Sequence, residues 1–487
     1  MRSIRFAAAL LLAMGLVFPN PAAAQAVGTG TISGTVKDAS GAVLPGVTVE
    51  AASPALIEGR RSVVTDATGR YSIVNLRPGT YTVTFTLQGF STVRRPNVQL
   101  TSDFTANVNA QLTVGSMEST IVVNTTPPLV DVQSVGQAKV YTREVMDELP
   151  TARTPNSVLF TIPGTEAGNF GLFAYRGTAD SITTVDGMRM TNLIGAGPGS
   201  TTAPTNSNMY QEFSFSTNID SAEFGQPGMR INLVPRDGGN EFQGTLFARY
   251  TRGAWQGNNL DDDLRAQGVT AAATSPKQWD FNPGVGGPIV RDRLWYYVTY
   301  QNNGDDTVET GSFYDLDPLP YRYVPDPNRP GISARRSSSI APRLTWQATP
   351  RDNIAGYYER FRSQTPLFYS NQNRLAFTSA RAPLSPETTQ DTTTNGDSGG
   401  VRWTRTQGTR LLFETAVGGS VRNNYNDYRG EAAAWSARYV EDGVPGVGTA
   451  TAVIGEVSTN QLLNVAVEST ANLSRTFEIR SSANYET

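Results

Sequence analysis

The 487-residue sequence contains no cysteine and no histidine. The absence of cysteine excludes disulfides, thiolate nucleophiles and cysteine-ligated zinc. The absence of histidine excludes Ser-His-Asp and Cys-His catalysis and every histidine-ligated metal site. Charged residues make up only 17% of the chain, the formal net charge is −3, and only Lys37, Lys139 and Lys277 among the 40 basic residues are lysines. Without a polybasic stretch we expect no nucleic-acid partner, and we expect no catalytic residue, metal or cofactor.

Long apolar runs are also missing, apart from one short run near the N-terminus. Arg2 and Arg5 precede the apolar run Phe6–Phe18, and Ala22-Ala23-Ala24 follows it. A positively charged start, a short apolar core and a small-residue site are typical of a secretory signal peptide. The alternative, a membrane anchor, needs about 20 apolar residues. The sequence therefore predicts a signal peptide over residues 1–24 and an exported protein.

Residues 27–114 alternate between short apolar runs and turn signals. The turns read Asp-Ala-Ser-Gly at 38–41, Asp-Ala-Thr-Gly at 66–69 and Arg-Pro-Gly at 77–79. Strands of five to eight residues with such spacing predict a β-sandwich. The segment resembles the carboxypeptidase-regulatory-like domain, a transthyretin-like sandwich with a carbohydrate-binding-like fold. The resemblance implies a glycan- or protein-contacting module, and a structural spacer is the alternative, since Tyr71, Tyr81 and Phe85 fall on strands and are expected in the core.

The residues after the sandwich include a short stretch of high β-propensity. Glu118–Thr125 contains Thr120, Ile121, Val122 and Val123. It resembles the TonB box, the extended peptide by which outer-membrane receptors contact the energy-coupling protein TonB, and Glu118 and these four residues would then make that contact by strand addition. The alternative is an ordinary strand that closes the sandwich or opens the next domain.

Residues 115–240, which include that stretch, have a mixed pattern that predicts an α/β domain. Thr142–Leu149 predicts a short helix with Thr142 as a possible N-cap and Pro150 as its end. The order of the later motifs resembles the plug of TonB-dependent receptors. The residues that carry this resemblance are Arg176-Gly177, Asp186-Gly187, Glu223 and Gly225, and finally Arg236 and Gly238 in a Gly-rich crossing.

From residue 241 to 487 the sequence predicts antiparallel strands that alternate in polarity. Leu344 and Trp346 oppose Arg343, Thr345 and Gln347, for example. Nine strands are predicted at 242–254, 278–288, 293–302, 339–349, 352–363, 398–407, 409–423, 461–473 and 475–487. Long and short connections alternate between them, which is typical of an outer-membrane barrel and not of a soluble sandwich. Residues 281–301 resemble the Oar-like branch of TonB-dependent transporters.

The sequence as a whole therefore predicts a mainly β protein with a sandwich, a plug and a partial, unclosed antiparallel barrel. Barrels with plugs have about 22 strands, so we expect the 487 residues to be an N-terminal piece. The resemblance implies a TonB-dependent receptor in the cell outer membrane that takes up a large or scarce nutrient, a siderophore or a glycan or peptide fragment. Its implied partners are TonB, outer-membrane lipid and an unidentified extracellular ligand. The alternative is a non-transporting surface adhesin that binds glycans through the sandwich.

Overall fold

A computed structural model shows a mainly β chain. It describes residues 29–53, 55–56, 59–102, 104–115, 120–122, 138–149, 155–159, 161–167, 173–175, 181–189, 206–216, 229–257, 261–266, 274–316, 324–368, 386, 390–407, 411–428, 454–456, 461–463 and 470–485. The predicted signal peptide lies outside these ranges. Among the described residues, no helix is long and apolar enough to cross a membrane.

The first unit, which we call the sandwich, consists of two sheets. Its strands are β1 (Gly30–Asp38), β2 (Thr48–Ala52), β3 (Arg60–Val64), β4 (Arg70–Leu76), β5 (Gly79–Thr86), β6 (Thr92–Leu100), β7 (Thr105–Asn107), β8 (Ala110–Leu112) and β9 (Thr120–Val122). One sheet has the order β4-β1-β7 with β8 also on β1, and the other has the order β3-β2-β5-β6-β9. In β3 and β6, arginines interrupt the apolar alternation.

Period-two alternation of apolar residues forms the core of the sandwich, and two aspartates stabilise its turns. Tyr71, Tyr81 and Phe85 are buried between the sheets, as expected. Asp38 accepts hydrogen bonds from the backbone N–H groups of residues 40 and 42, and Asp66 does the same for residues 68 and 70. These carboxylates replace the backbone partners that a tight turn leaves unsatisfied. The two similar turn sequences therefore form two similar turns.

The second unit, which we call the central unit, spans residues 138–235. Its elements are β10 (Ala138–Thr142), α1 (Arg143–Glu148), α2 (Pro155–Leu159), β11 (Thr165–Ala167), β12 (Phe173–Tyr175), β13 (Ser181–Val185), β14 (Met188–Arg189), a 3₁₀ turn (Ser207–Met209), β15 (Tyr210–Ser216) and β16 (Met229–Pro235). Five strands form a sheet in the order β10-β15-β16-β13-β14. Thr142 precedes α1 as predicted, but its side chain makes no capping hydrogen bond.

The third unit, which we call the wall, is one antiparallel sheet of eight strands in the order β17-β18-β19-β20-β21-β22-β23-β26. The strands are β17 (Gln243–Arg252), β18 (Lys277–Val290), β19 (Leu294–Asp315), β20 (Pro325–Thr349), β21 (Asp352–Phe368), β22 (Gln390–Gln407), β23 (Leu411–Tyr428) and β26 (Thr470–Tyr485). A 3₁₀ turn (Gly253–Trp255), α3 (Asp262–Ala266) and the hairpin of β24 (Ile454–Glu456) and β25 (Gln461–Leu463) lie in the long connections. The connections alternate between short and long, as predicted.

The predicted count of nine barrel strands was wrong for the described residues. The predicted strands at 461–473 and 475–487 required a turn at Ser474, but Ser474 lies inside β26 and is paired with Arg422 of β23. Residues 461–463 instead form β25, which pairs with β24 in a separate hairpin. Polar–apolar alternation gives the faces of a strand, but it does not give the position where one strand ends.

The wall has an inverted polarity compared with a soluble sheet. On β20, Leu344 and Trp346 are 51% and 44% exposed, whereas Arg343 and Thr345 are only 4% and 1% exposed. Large apolar side chains are similarly exposed on other strands of the wall, among them Leu246, Phe281, Val285, Ile289, Phe477 and Ile479, and so is Phe242 directly before β17. The polar face is buried because the central unit packs against it. An apolar outer face and a polar inner face are what a sheet needs when lipid lies on its outer side.

Candidate functional site

The contact between the central unit and the wall is built around a tight turn. Asp186 and Gly187 connect β13 to β14, and both have positive φ angles of 52° and 78°. Asp-Gly in this conformation forms the two-residue type I′ hairpin, which matches the twist of the flanking strands. The turn places the carboxylate of Asp186 opposite Arg343 of the wall, with 2.5 Å between Oδ2 and Nη1. A second wall arginine, Arg402, approaches the other carboxylate oxygen at 3.6 Å.

A second aspartate, Asp237, lies where the chain passes from the central unit into the wall. Arg343 Nε donates to its Oδ1 at 2.8 Å, and Thr345 Oγ1 donates to the same oxygen. Its other oxygen, Oδ2, lies 2.9 Å from Arg77 Nη1 of the sandwich. Burial alone would raise the pKa of Asp237, but Arg343 and Arg77, together with these hydrogen bonds, hold that pKa well below its usual range. Asp237 is therefore ionised at neutral pH and joins all three units.

These groups form a compact cluster that is close to electrically neutral. Arg402 also approaches Glu414 of β23 at 4.0 Å. The cluster thus contains three guanidinium groups and three carboxylates, which come from Arg77, Asp186, Asp237, Arg343, Arg402 and Glu414. We call it the ion cluster. Buried ion pairs contribute little net stability compared with apolar packing, but removing one partner leaves a costly buried charge.

A polar cluster lies beside the ion cluster and uses the predicted Arg236. Its Nη1 donates to Asn208 Oδ1 at 3.2 Å and to Tyr297 Oη at 3.1 Å, and its guanidinium lies over the Tyr297 ring. Asn208 Nδ2 donates to the backbone carbonyl of Asn282 in the wall at 3.0 Å. Asn206 donates to Ser339 Oγ at 3.2 Å. Side-chain amides and hydroxyls therefore replace apolar packing over much of this contact.

The predicted Gly238 is required by a close backbone approach. A Cβ at this position would lie 2.3 Å from the carbonyl oxygen of Tyr296, closer than any side chain allows. The adjacent Gly239 has open space around it. Only glycine at 238 lets the crossing chain pass this close to β19.

The contact also has a small apolar part. Met188 of β14 lies against Gly400 and Gly418 of the wall, where the lack of side chains leaves room for its thioether. The core of the central unit, which contains Phe213 and Phe215, extends to only a few wall residues, namely Ala341, Tyr357 and Ala416. The apolar area shared by the two units is thus limited.

The sandwich contacts the other units at two further points besides Arg77. The backbone N–H of Ser102 donates to Glu212 Oε1 of β15 at 3.1 Å, and the Ser102 hydroxyl donates to the same oxygen. Asn75 Nδ2 donates to Thr404 Oγ1 of the wall at 3.4 Å. The loops at one end of the sandwich therefore rest on the place where the central unit enters the wall.

Four of the predicted site residues meet at this contact: Asp186, Gly187, Arg236 and Gly238. Arg176, Gly177, Glu223 and Gly225 lie outside the described residues, as do Glu118 and Val123. Thr120, Ile121 and Val122 form β9, which pairs in parallel with Thr92–Arg94 of β6. The backbone of this segment is thus an edge strand of the sandwich, which agrees with the alternative that it closes the sandwich.

Sequence reasoning did not identify Asp237, Arg343, Arg402, Glu414, Arg77 or Glu212 as site residues. A usable signal existed for Arg343, because a charged residue that alternates with apolar residues along a strand lies on the opposite face from them and needs a partner there. Two short sequences elsewhere in the chain, at 396–400 and 261–263, have structural roles. Ser398 of the Gly-Asp-Ser-Gly-Gly sequence lies inside β22, and Asp261 accepts from the backbone N–H of Leu264 at the start of α3.

Comparisons with known proteins agree with this architecture. Residues 31–113 match the carboxypeptidase regulatory-like domain family. Over 305 residues the chain is 32% identical to the TonB-dependent transporter Oar of Myxococcus xanthus, and the match covers 60% of this chain and 28% of that protein. The chain thus spans less than a third of the length of this relative.

Solved structures also resemble the chain. The ferric enterobactin receptor of Pseudomonas aeruginosa superposes with a TM-score of 0.47 at 13% identity, covering 73% of this chain and 48% of that one. The outer-membrane transporter YddB of Escherichia coli superposes with a TM-score of 0.44 at 14% identity, covering 60% and 39%. The sequence matches therefore show that residues 31–113 carry a carboxypeptidase regulatory-like domain and that the chain is similar over 305 residues to the TonB-dependent transporter Oar.

Proposed function

We propose that the protein is a TonB-dependent receptor of the cell outer membrane that takes up a large or scarce nutrient, a siderophore or a glycan or peptide fragment. The observation that carries the proposal is the inverted polarity of the wall, in which Leu344 and Trp346 face outward while Arg343 binds the central unit. In this proposal the wall is part of a lipid-embedded barrel, and the central unit is its plug. The plug motif predicted from the sequence then also includes Arg176, Gly177, Glu223 and Gly225.

The chemistry of the plug contact supports reversible opening. An apolar contact would lose about 25 cal/mol for each Å² exposed when the plug moves. The ion cluster and the polar cluster can exchange their partners for water, because a buried ion pair is nearly balanced by the hydration of its charges. The plug can therefore be held in one position and still be displaced by a partner that does mechanical work.

The position of β9 supports a contact with TonB in this part of the chain. Residues 120–122 form the last strand of their sheet, and among the described residues no strand pairs with the other edge of β9. An open strand edge binds an incoming strand through backbone hydrogen bonds. We therefore propose that TonB adds a strand at Glu118–Val123 while β9 stays attached to β6.

A path for mechanical force from β9 to the plug follows from the contacts already described. β9 is paired with β6, β6 is paired with β5, and Arg77 lies in the short connection between β4 and β5, two residues before β5. Arg77 binds Asp237, which shares Arg343 with Asp186 of the plug. A pull on β9 thus moves the sandwich and draws Arg77 away from the ion cluster, which weakens the hold on the plug.

Disulfide crosslinking in living cells tests the TonB contact. Because these 487 residues contain no cysteine, Ile121→Cys introduces a defined thiol in the full-length protein, and TonB carries a series of cysteines in its periplasmic domain. We expect a crosslink at residue 121. The matched control is Val64→Cys, an exposed position on β3 at the opposite edge of the same sheet. Equal crosslinking of both variants, or of neither, would contradict the proposed contact.

Uptake measurements test the transport function itself. Cells that lack the gene are compared with complemented cells for accumulation of a panel of iron-55-labelled siderophores and fluorescent oligosaccharides. Deletion of residues 116–125 should abolish accumulation and leave surface binding of the same probe intact. Recovery of the full-length protein in the soluble periplasmic fraction would refute the outer-membrane assignment. Binding without accumulation in wild-type cells would favour the surface adhesin.

A further inference from the structure

The outward face of the wall carries a cluster of basic and aromatic side chains at one end of its apolar band. Two rows of outward positions cross neighbouring strands there. Tyr250, Trp279, Gly304 and Arg336 are paired in one row, and Arg252, Lys277 and Asp306 are paired in the next. We call these seven residues the rim cluster. It contains one of only three lysines in the chain.

Trp279 is the centre of the rim cluster. Its ring packs against Gly304, where a Cβ would lie 2.5 Å from two ring carbons, and its Nε1 donates to Asn302 Oδ1 at 2.9 Å. Lys277 Nζ and Arg336 Cζ each lie 4.6 Å from the centre of this ring. Cation–π contacts therefore hold both cations beside one indole. The two charged groups can be no farther apart than twice 4.6 Å.

The rim cluster has an excess of positive charge. Arg336 is paired with Asp306 at 2.5 Å. Arg252 and Lys277 are exposed, and no ion-pair partner is found for either among the described residues. These two cations in excess lie on residues that are directly paired across β17 and β18, and like charges so placed repel one another until an anion lies between them. The cluster therefore has the charge and the spacing to receive an anionic group from outside the sheet.

The height of the rim cluster on the wall indicates where that anionic group is found. Ile289, an exposed outward residue next to the short connection 291–293, lies ten positions after Trp279 on the same strand. A tilted strand of about 9–11 residues spans the hydrocarbon core, and the apolar band of such barrels is about 25 Å tall. Trp279 and Lys277 thus lie one band height from the short connections, at the level of the headgroups of the opposite leaflet.

We propose that the rim cluster binds the phosphate group of a phosphorylated lipid in the outer leaflet. Arg252 and Lys277 contact the phosphate oxygens, and Tyr250, Trp255 and Trp279 lie at the boundary between headgroup and hydrocarbon. Arginine and lysine are the side chains that bind phosphate, and aromatic rings with one polar edge favour this boundary. Trp255 packs edge to face on Tyr250 with ring centres 5.9 Å apart, which extends the aromatic surface beside Arg252. This inference rests on the outer-membrane location in the proposed function.

Native mass spectrometry of the full-length protein in detergent tests this inference. The probe is a synthetic acylated diglucosamine that carries two phosphate groups, and the comparison ligand is the same lipid without phosphate. The double variant Arg252→Gln/Lys277→Gln should bind the phosphorylated probe about 30-fold more weakly than the wild type. Arg335→Gln, which changes an arginine of β20 that is paired with Asp305 outside the cluster, should bind it like the wild type.

The outcomes separate this inference from the proposed function. Equal affinity of the wild type and the double variant, or equal binding of the two lipids, would overturn the lipid site even if uptake and fractionation behave as proposed. If a protein partner binds the wild type but not the double variant, while both bind the lipid equally, the proposed lipid site is also overturned. Heat-dependent mobility on electrophoresis, which reports a folded barrel, confirms that each variant is folded before it is measured.

Discussion

Replacing Arg343 by alanine should release the plug from the wall. Arg343 is 4% exposed and contacts the carboxylates of Asp186 at 2.5 Å and Asp237 at 2.8 Å. Removing one partner of a buried ion pair costs about 3–5 kcal/mol. Asp186 keeps Arg402 at 3.6 Å and Asp237 keeps Arg77 at 2.9 Å, so the lower end of the range applies. A loss of about 3 kcal/mol raises the population of detached plug roughly 150-fold.

The measurement is the labelling rate of a thiol that only the detached plug exposes. Met188 is buried against the wall, so Met188→Cys is introduced into the full-length protein, with any further cysteine changed to serine. When opening is fast compared with labelling, the rate reports the population of the open state. The rate should rise about 150-fold in Arg343→Ala.

The matched control is Arg335→Ala, which removes an arginine from the same strand. Arg335 is 59% exposed in its ion pair with Asp305, and an exposed pair contributes at most about 1 kcal/mol. Its labelling rate should therefore stay within about fivefold of the parent protein. Equal labelling rates in Arg343→Ala and Arg335→Ala would refute the view that the ion cluster holds the plug.

Three further predictions concern the residues around the ion cluster. In a urea titration, Gly238→Ala should destabilise the assembled protein by about 1–3 kcal/mol, because the added Cβ meets backbone atoms of Tyr296. Gly239→Ala, where the added Cβ has open space, should leave the urea midpoint unchanged. Equal midpoints for the two variants would contradict the close approach at Gly238. The lowered pKa of Asp237 means that its contribution to stability is fully present above the ordinary aspartate pKa and is lost progressively as the pH falls from there towards the lower folded-state value. The urea midpoint of the wild type should therefore begin to fall below about pH 4, and Asp237→Asn should weaken this pH dependence. Glu212→Gln should speed hydrogen exchange at the Ser102 amide roughly fivefold, because a charged acceptor contributes about 1 kcal/mol more than the neutral amide oxygen that replaces it. Unchanged exchange at this amide would argue against docking of the sandwich.

The order and type of the units could be read from the sequence because they depend on local patterns. Turn residues at fixed spacing predict the sandwich strands, and the two Asp-x-x-Gly turns form as such turns do. Alternation along β20 correctly separates Leu344 and Trp346 from Arg343 and Thr345. The Asp186-Gly187 pair is informative for the same reason, since a two-residue hairpin depends only on its own backbone.

The features that the sequence did not reveal depend on register and on distant contacts. The position of β26 is set by sixteen residue pairs with β23, and that of β25 by its pairs with β24. Periodicity along the chain supplies neither set of pairs. Glu359 is 3% exposed on the same face of β21 as the buried Ala355, and alternation along a strand does not show which face another unit covers. β9 could be assigned to the sandwich only through its pairing with β6.

The sequence by itself determined that the protein is mainly β, that it has a sandwich, a plug-like unit and an alternating wall, and that histidine- and cysteine-based chemistry is excluded in these 487 residues. Only the tertiary structure decided which charges meet. Arg343 and Asp186 are 157 residues apart in the chain, and Arg77 and Asp237 belong to different units. Local propensity cannot encode such pairs, because they form only when three independently patterned units are packed together.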